Sequence, residues 1–149
     1  MAIKTLSGYA ETKPGLTPKS GVSILGGQPV SLDTTDTTGQ TIMLSAGSSV
    51  VGLALESNVA PLSLNYFYDD YNRGGLITYT CGSGAEIEVY NDGRGCPFDT
   101  TVTFVIGQDV YATVDGKISN VQLFGAPRIG FVTKVPFSAT DSLKIQLSI

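Results

Sequence analysis

Carboxylate pairs are the residues of this sequence best suited to carry chemistry, and one pair lies in the segment AEIEVY. Glu86 and Glu88 are two positions apart, so on a β-strand both side chains would point to the same face. Two such carboxylates, with Asp70 as a further candidate, could perform glycoside hydrolysis. The same spacing also fits a solvated strand face opposite the apolar Ile87 and Val89, and we favour this second interpretation.

The chain contains no histidine, which removes much of the usual catalytic apparatus. Without an imidazole there is no Ser-His or Cys-His nucleophile, and the commonest metal ligand is missing. The sequence also lacks a GxSxG elbow, a P-loop and a GxGxxG fingerprint. The oxygen-rich run DTTDTTG at residues 33–39 lacks the spacing and the distal glutamate of an EF-hand, so we predict a polar hairpin loop there. We therefore expect no enzymatic activity, no cofactor and no bound metal.

The segment LNYFYDDYNRGG combines aromatic and charged residues and has two interpretations. Aromatic side chains beside carboxylates suit stacking against sugars or burial in a protein interface. They equally suit a strand whose alternate aromatic residues enter the core before a turn at residues 72–75. The possible interface residues of this segment are Tyr66, Tyr68, Tyr71 and Arg73.

Composition indicates a globular, all-β protein. The chain has 149 residues, of which 42% are hydrophobic and 15% are charged, so it is not a disordered polyelectrolyte. Valine, isoleucine, threonine and the aromatic residues are prominent in the sequence, and these residue types favour strands. Short apolar runs alternate with turn residues from Val30 onward, which is typical of a sandwich or barrel.

Charge and hydropathy restrict the possible partners. The net charge is −4, and acidic residues dominate the middle of the chain, so we expect no binding to nucleic acid. No apolar run approaches the roughly 18 residues that a membrane span needs. The N-terminus lacks the apolar core of a secretory signal, so we expect synthesis in a cytoplasm, where Cys81 and Cys96 would be free thiols.

The two ends of the chain have different patterns. Residues 1–20 contain few large apolar side chains and two prolines, so we predict an extended N-terminal arm outside the core. The remaining residues, 21–149, are predicted to form a single β domain whose first strand lies near residues 22–25. In the last segment, LKIQLSI, strict alternation predicts that Leu143, Ile145 and Leu147 are core residues.

Two distant segments of the chain are similar to each other. GQPVSLDTTDTTGQ at residues 27–40 and GQDVYATVDGKISN at residues 107–120 both combine strand residues with a glycine-containing turn. Each is followed by a turn of small residues and by a strand with an internal glycine, VVGLALE or RIGFVTKV. We predict two similar three-stranded meanders around one core.

These repeated segments resemble the head decoration (capsid cement) proteins of tailed bacteriophages, including the lambdoid type. The resemblance covers residues 27–59 and 107–149, whereas residues 60–100 have no counterpart and are a possible elaboration. It implies a small β-barrel or β-tulip with an N-terminal arm. It also implies a protein of the virion that binds the capsid exterior and stabilises the shell.

The resemblance further implies a partner, an oligomeric state and a set of contact residues. The partner would be the major capsid protein, and the protein would be a homo-oligomer, with a trimer favoured. The arm would pair as an extra strand with the edge of a β-sheet in the capsid protein, through main-chain hydrogen bonds. The candidate capsid-binding residues are Ile3, Lys4, Leu6, Lys13, Pro14 and Lys19. The alternative function is a phage fibre or receptor-recognition module that uses the segment from Tyr66 to Arg73.

Overall fold

The computed structural model describes residues 3–8, 10–19, 22–45, 49–55, 76–91, 95–138 and 140–149. These residues contain eleven β-strands and no helix, which confirms the predicted all-β class. The strands are β1 (Ile3–Ser7), β2 (Glu11–Pro18), β3 (Pro29–Leu32), β4 (Thr41–Leu44), β5 (Gly52–Ala54), β6 (Ile77–Cys81), β7 (Glu86–Tyr90), β8 (Asp109–Ala112), β9 (Ile118–Ser119), β10 (Gly130–Lys134) and β11 (Ser142–Leu147).

The strands form two sheets, one of which is a closed barrel. The barrel has the order β2-β4-β3-β5-β6, and its ends meet because β6 pairs with β2. The other sheet has six strands in the order β1-β7-β11-β10-β8-β9. A small β-barrel, as predicted, is therefore part of the fold.

The predicted internal repeat is confirmed by the strand pairing. In the barrel β3 pairs with β4 on one side and β5 on the other, and in the second sheet β8 pairs with β9 and β10 in the same way. The register is also the same, since Val30 lies opposite Gly52 and Val110 lies opposite Gly130.

The repeat extends beyond the three strands predicted for each copy. β6 follows β5 in the barrel as β11 follows β10 in the sheet, and β2 pairs with β6 as β7 pairs with β11. We call residues 11–81 unit 1 and residues 86–147 unit 2. Each unit contains five strands in the same arrangement, and β1 is an addition to unit 2.

Unit 2 also closes in the manner of the barrel. In unit 1 the N–H of Lys19 donates to the carbonyl of Ile42 at 2.8 Å, beside the parallel pairing of β2 and β4. In unit 2 the N–H of Asp99 donates to the carbonyl of Ile118 at 2.8 Å, and Phe98 and Ile118 form a parallel bridge. The chain that follows β7 therefore returns to β9 as β2 meets β4.

The shared motif GQxV produces the same turn in both units. The side-chain oxygen of Gln28 accepts a hydrogen bond from the N–H three residues earlier at 2.8 Å, and that of Gln108 does so at 3.1 Å. Each turn passes through a glycine with positive φ, 93° at Gly27 and 85° at Gly107. Such angles are favourable for glycine and strained for other residues.

The apolar core consists of two clusters, so the prediction of one shared core is wrong. Because each unit curls around its own interior, each has its own set of buried side chains. The unit 1 cluster contains Ile24, Val30, Ile42, Ala54 and Ile77. The unit 2 cluster contains Ile3, Leu53, Ile87, Val89, Phe98, Phe104, Val110, Ala112, Ile118, Ile129, Val132, Leu143, Ile145 and Leu147. The predicted core residues of the last strand are thus confirmed.

The N-terminal segment is extended, as predicted, but its predicted position outside the core is wrong for the described residues. β1 pairs with β7, and Ile3 is only 3% exposed in the unit 2 cluster. β2 pairs with both β6 and β4. Main-chain hydrogen bonds hold these strands regardless of their low apolar content, which the composition of residues 1–20 does not reveal. The predicted first strand near residues 22–25 is irregular backbone instead.

Candidate partner-binding surface

The structure separates the predicted capsid-binding residues. Ile3 is in the core, and its neighbour Lys4 is exposed on β1. Leu6 is half-buried on the same strand. Lys13 lies on β2, in the other sheet, and its Nζ donates to Glu11 Oε1 at 2.6 Å. Two predicted sites lie outside what the structure describes: the side chain of Pro14 and the whole aromatic segment at residues 66–73.

Lys19, the remaining predicted residue, is close to the hairpin loop of unit 1. Its Nζ lies 3.8 Å from Asp33 Oδ2. The described residues that were predicted to share one partner are therefore divided between β1 and β2, which lie in different sheets, and the segment that follows β2.

The carboxylate pair singled out in the sequence, Glu86 and Glu88, lies on β7. Glu86 and Glu88 are half-buried on one face of the strand, and Ile87 and Val89 are buried on the other, which confirms that the two carboxylates share a face. Glu88 Oε2 accepts a hydrogen bond from Ser142 Oγ at 3.1 Å on the neighbouring strand. This carboxylate therefore contributes to strand pairing.

The run at residues 33–39 forms the predicted polar hairpin loop between β3 and β4. Asp36 Oδ1 accepts hydrogen bonds from the N–H and the hydroxyl of Thr38, and Asp36 Oδ2 accepts one from Thr41 Oγ1 at 2.6 Å. The bonds from Thr41 and Thr38 lower the pKa of Asp36 to about 2. Within the described ranges no three His, Cys, Asp or Glu residues converge on a position that could hold a metal ion. Cys81 and Cys96 are free thiols, as expected.

Unit 2 contains a cleft. Its volume is about 310 Å³, which is at the lower end of small-molecule sites and is large enough for an apolar side chain. It lies between the loop that leads into β8 and the loop that follows β10. Its walls are Phe98, Asp99, Thr100, Val102, Thr103, Phe104, Val135, Pro136, Phe137 and Ser138.

Buried aromatic rings hold the apolar wall of the cleft in place. The rings of Phe98 and Phe104 meet edge to face, with centroids 6.4 Å apart and planes at 79°. Both residues belong to the unit 2 core, where they are 1% and 5% exposed. Since core side chains are held by close packing, this wall is rigid.

Asp99 supplies a charged group to the lining of the cleft. Its Oδ1 accepts hydrogen bonds from Thr101 N at 2.9 Å and Thr101 Oγ1 at 2.6 Å, and its Oδ2 accepts one from Ser119 Oγ at 3.1 Å. Burial raises the pKa of Asp99, but these hydrogen bonds outweigh burial and leave the pKa below its ordinary value. The carboxylate is therefore charged at neutral pH and is already satisfied by its own loop.

Phe137 stands at the rim of the cleft and is 95% exposed. Its loop is fixed by Asp141, whose Oδ2 accepts from Phe137 N at 2.8 Å and whose Oδ1 accepts from Lys134 Nζ at 3.0 Å. These bonds lower the pKa of Asp141 to about 2. An exposed aromatic ring on a braced loop has little conformational freedom to lose on binding, so the arrangement favours contact with another molecule.

Sequence reasoning missed this surface because its parts are far apart in the chain. Phe98 and Phe104 precede β8, whereas Phe137 follows β10, and each segment alone is typical of a loop. One local signal was present: an aspartate four residues after Phe137, at a spacing that allows it to accept from the backbone of the loop.

No protein-family model matches the chain, and a search of curated proteins finds no match. In the described part of the chain, no helix is long and apolar enough to cross a membrane.

Proposed function

We propose that this protein is a structural virion protein that binds the outside of a tailed-phage capsid and stabilises the shell. The observation that carries the proposal is Phe137, an almost fully exposed ring on a braced loop beside an apolar cleft. Surface aromatic residues of this kind are frequent energetic centres of protein interfaces. The major capsid protein is the proposed partner.

The location of this surface in the sequence supports the proposal. Phe137 and the segment that precedes it lie within residues 107–149, one of the two segments that resemble the decoration proteins. The surroundings also favour a protein partner over a reacting substrate, since the one carboxylate in the cleft wall is satisfied by Thr101 and Ser119.

The proposed contact differs from the one expected from sequence. Edge pairing through β2 would require that strand to leave β4 and β6, whereas β1 lies at the edge of the six-stranded sheet and pairs with β7 on one side only. The exposed residues of β1 are the polar Lys4, Thr5 and Ser7, so we place the shell contact at Phe137 and the cleft, where an aromatic ring is exposed. The alternative function, a fibre or receptor-recognition module, depends on residues 66–73, which are outside the described part of the chain.

Co-sedimentation with expanded, undecorated capsids of the phage that encodes the protein tests the proposal. The variant Phe137→Ser removes the exposed ring, and Phe124→Ser is its matched control, because Phe124 is also fully exposed, on a different loop. We expect the wild type and Phe124→Ser to sediment with the capsids. Phe137→Ser should bind about tenfold more weakly or worse, since aromatic anchors typically contribute about 2 kcal/mol or more.

The other possible results separate capsid binding itself from the role of Phe137. If the wild type does not sediment with capsids at any concentration, the protein is not a decoration protein. If both variants bind as the wild type does, capsid binding stands and the assignment of Phe137 is wrong.

A further inference from the structure

Unit 1 contacts unit 2 through one face, formed by the turn before β3 and by the end of β4. A Cβ atom at Gly27 would lie 2.7 Å from Val89 Cγ1 and 2.9 Å from Pro97 Cγ, so this turn is in close contact with unit 2. At the end of β4, Leu44 Cβ is 3.0 Å from the position of a Cβ atom at Gly116. We call this set of positions the contact face.

The contact face also supplies an apolar side chain to the neighbouring unit. Leu53, on β5 of unit 1, is fully buried in the unit 2 cluster. Leu25 is equally close to unit 2, since a Cβ atom at Gly95 would lie 2.6 Å from Leu25 Cδ1. The face is thus an established apolar interface between the two units.

The repeat places an equivalent contact face on unit 2. By the shared registers, Val105 and Gly107 correspond to positions 25 and 27 of the contact face, and Asn120 corresponds to position 44. Ile106 and Val121 correspond to positions 26 and 45, which adjoin that face in the sequence. In the part of the chain that the structure describes, no atom lies within 4 Å of a Cβ position at Gly107. Val105, Ile106 and Val121 are 57%, 68% and 55% exposed.

Hydrogen bonds join these exposed residues into one surface. Asn120 Nδ2 donates to Thr103 O at 2.8 Å and to Gln108 Oε1 at 3.0 Å, and the latter oxygen also accepts from Val105 N. The segment with Val121 is therefore fixed against the turn with Val105 and Ile106. Three large apolar side chains in one ordered patch indicate an interface, because single exposed hydrophobic residues would not be clustered in this way.

The contact between the units uses different surfaces on unit 1 and unit 2, and this asymmetry determines the kind of assembly that it allows. The face of unit 1 is covered by unit 2, but the equivalent face of unit 2 is open. A relation of this kind is head-to-tail, and a head-to-tail contact can be repeated by a further copy.

We propose that Val105, Ile106 and Val121 bind unit 1 of a second copy of this chain. In unit 2 the contact face of unit 1 meets Pro97 and Gly116. The equivalent positions in unit 1 are Thr17 and the turn at residues 39–40, and we call these positions the receiving surface. Among the described residues those positions are open, since Thr17 and Gln40 are exposed and no described atom lies within 4 Å of a Cβ position at Gly39. The occupant is a second copy because the contact continues the interface that already joins the two units, and this inference does not depend on capsid binding.

Sedimentation velocity of the full chain over a range of concentrations tests the inference. The wild type should self-associate, and Ile106→Asp should raise the dissociation constant by about tenfold or more. Val114→Asp is the matched control, because Val114 is 69% exposed in the turn that follows β8, whereas Ile106 precedes that strand. It should associate as the wild type does.

A second variant tests the receiving surface and the head-to-tail geometry. Gln40→Asp should weaken association as Ile106→Asp does, because it introduces a charge on the other partner surface. An equimolar mixture of the two variants should form dimers again. The Gln40→Asp copy keeps an intact unit 2 surface around Ile106, and the Ile106→Asp copy keeps an intact receiving surface on unit 1. A wild type that stays monomeric, an Ile106→Asp variant that associates normally, or a mixture that fails to recover dimers would each overturn the proposal.

Discussion

Replacing Ile3 by alanine tests whether the N-terminal segment is part of the folded core. Ile3 is 3% exposed, and β1 holds it opposite Val89 on β7. Truncation of a buried isoleucine removes the transfer free energy of its methyl and methylene groups and leaves a cavity. Together these effects cost about 2–4 kcal/mol in comparable cores. For a chain of 149 residues, that loss corresponds to a fall in Tm of roughly 5–15 °C.

The assay is thermal unfolding followed by circular dichroism, with urea unfolding as a second probe. Lys4→Ala is the control, because Lys4 is the exposed neighbour of Ile3 on the same strand and its replacement should change the free energy of unfolding by less than about 0.5 kcal/mol. If Ile3→Ala and Lys4→Ala melt within about 2 °C of each other, β1 does not contribute to the core and the N-terminal segment is an arm after all.

Two further predictions concern the strand packing and the loop of Phe137. A methyl group at Gly130 would overlap the backbone carbonyl oxygen of Gln146, so Gly130→Ala should destabilise the protein by about 3 kcal/mol or more. Gly107→Ala is the control and should cost about 1 kcal/mol, because the new side chain meets only an unfavourable φ. Urea unfolding of both variants measures the two losses. Because the pKa of Asp141 is lowered to about 2 from 3.8, its contribution to stability is complete above about pH 4 and is lost as the pH falls towards 2. The Tm difference between the wild type and Asp141→Asn should therefore be constant from pH 7 to about pH 4 and shrink below it; a difference that persists unchanged to pH 2 would contradict the assignment.

Local patterns in the sequence predicted a substantial part of the fold. The alternation in LKIQLSI identified three buried residues of β11, and the similarity of residues 27–40 to residues 107–120 identified a true repeat. The threonine-rich loop at residues 33–39 was predicted from its composition. These features were accessible because each depends on contacts between residues that are close in sequence, or on turn residues with a fixed geometry.

The features that the sequence did not reveal depend on long-range pairing. β1 joins β7 across some eighty residues, and the parallel closure at Phe98 follows an irregular stretch after β7. Main-chain groups make these contacts, so side-chain types carry little information about them. The cleft was missed for a related reason, because Phe104 and Phe137 meet at one site only once β8, β9 and β10 are in place.

The most direct test of the central claim is a cryo-electron microscopy reconstruction of expanded, undecorated capsids after incubation with the purified protein. The account predicts added density on the outer surface of the shell, into which the two-unit fold can be placed with Phe137 and the cleft against the major capsid protein. Capsids that show no added density, or density oriented with Phe137 away from the shell, would contradict it.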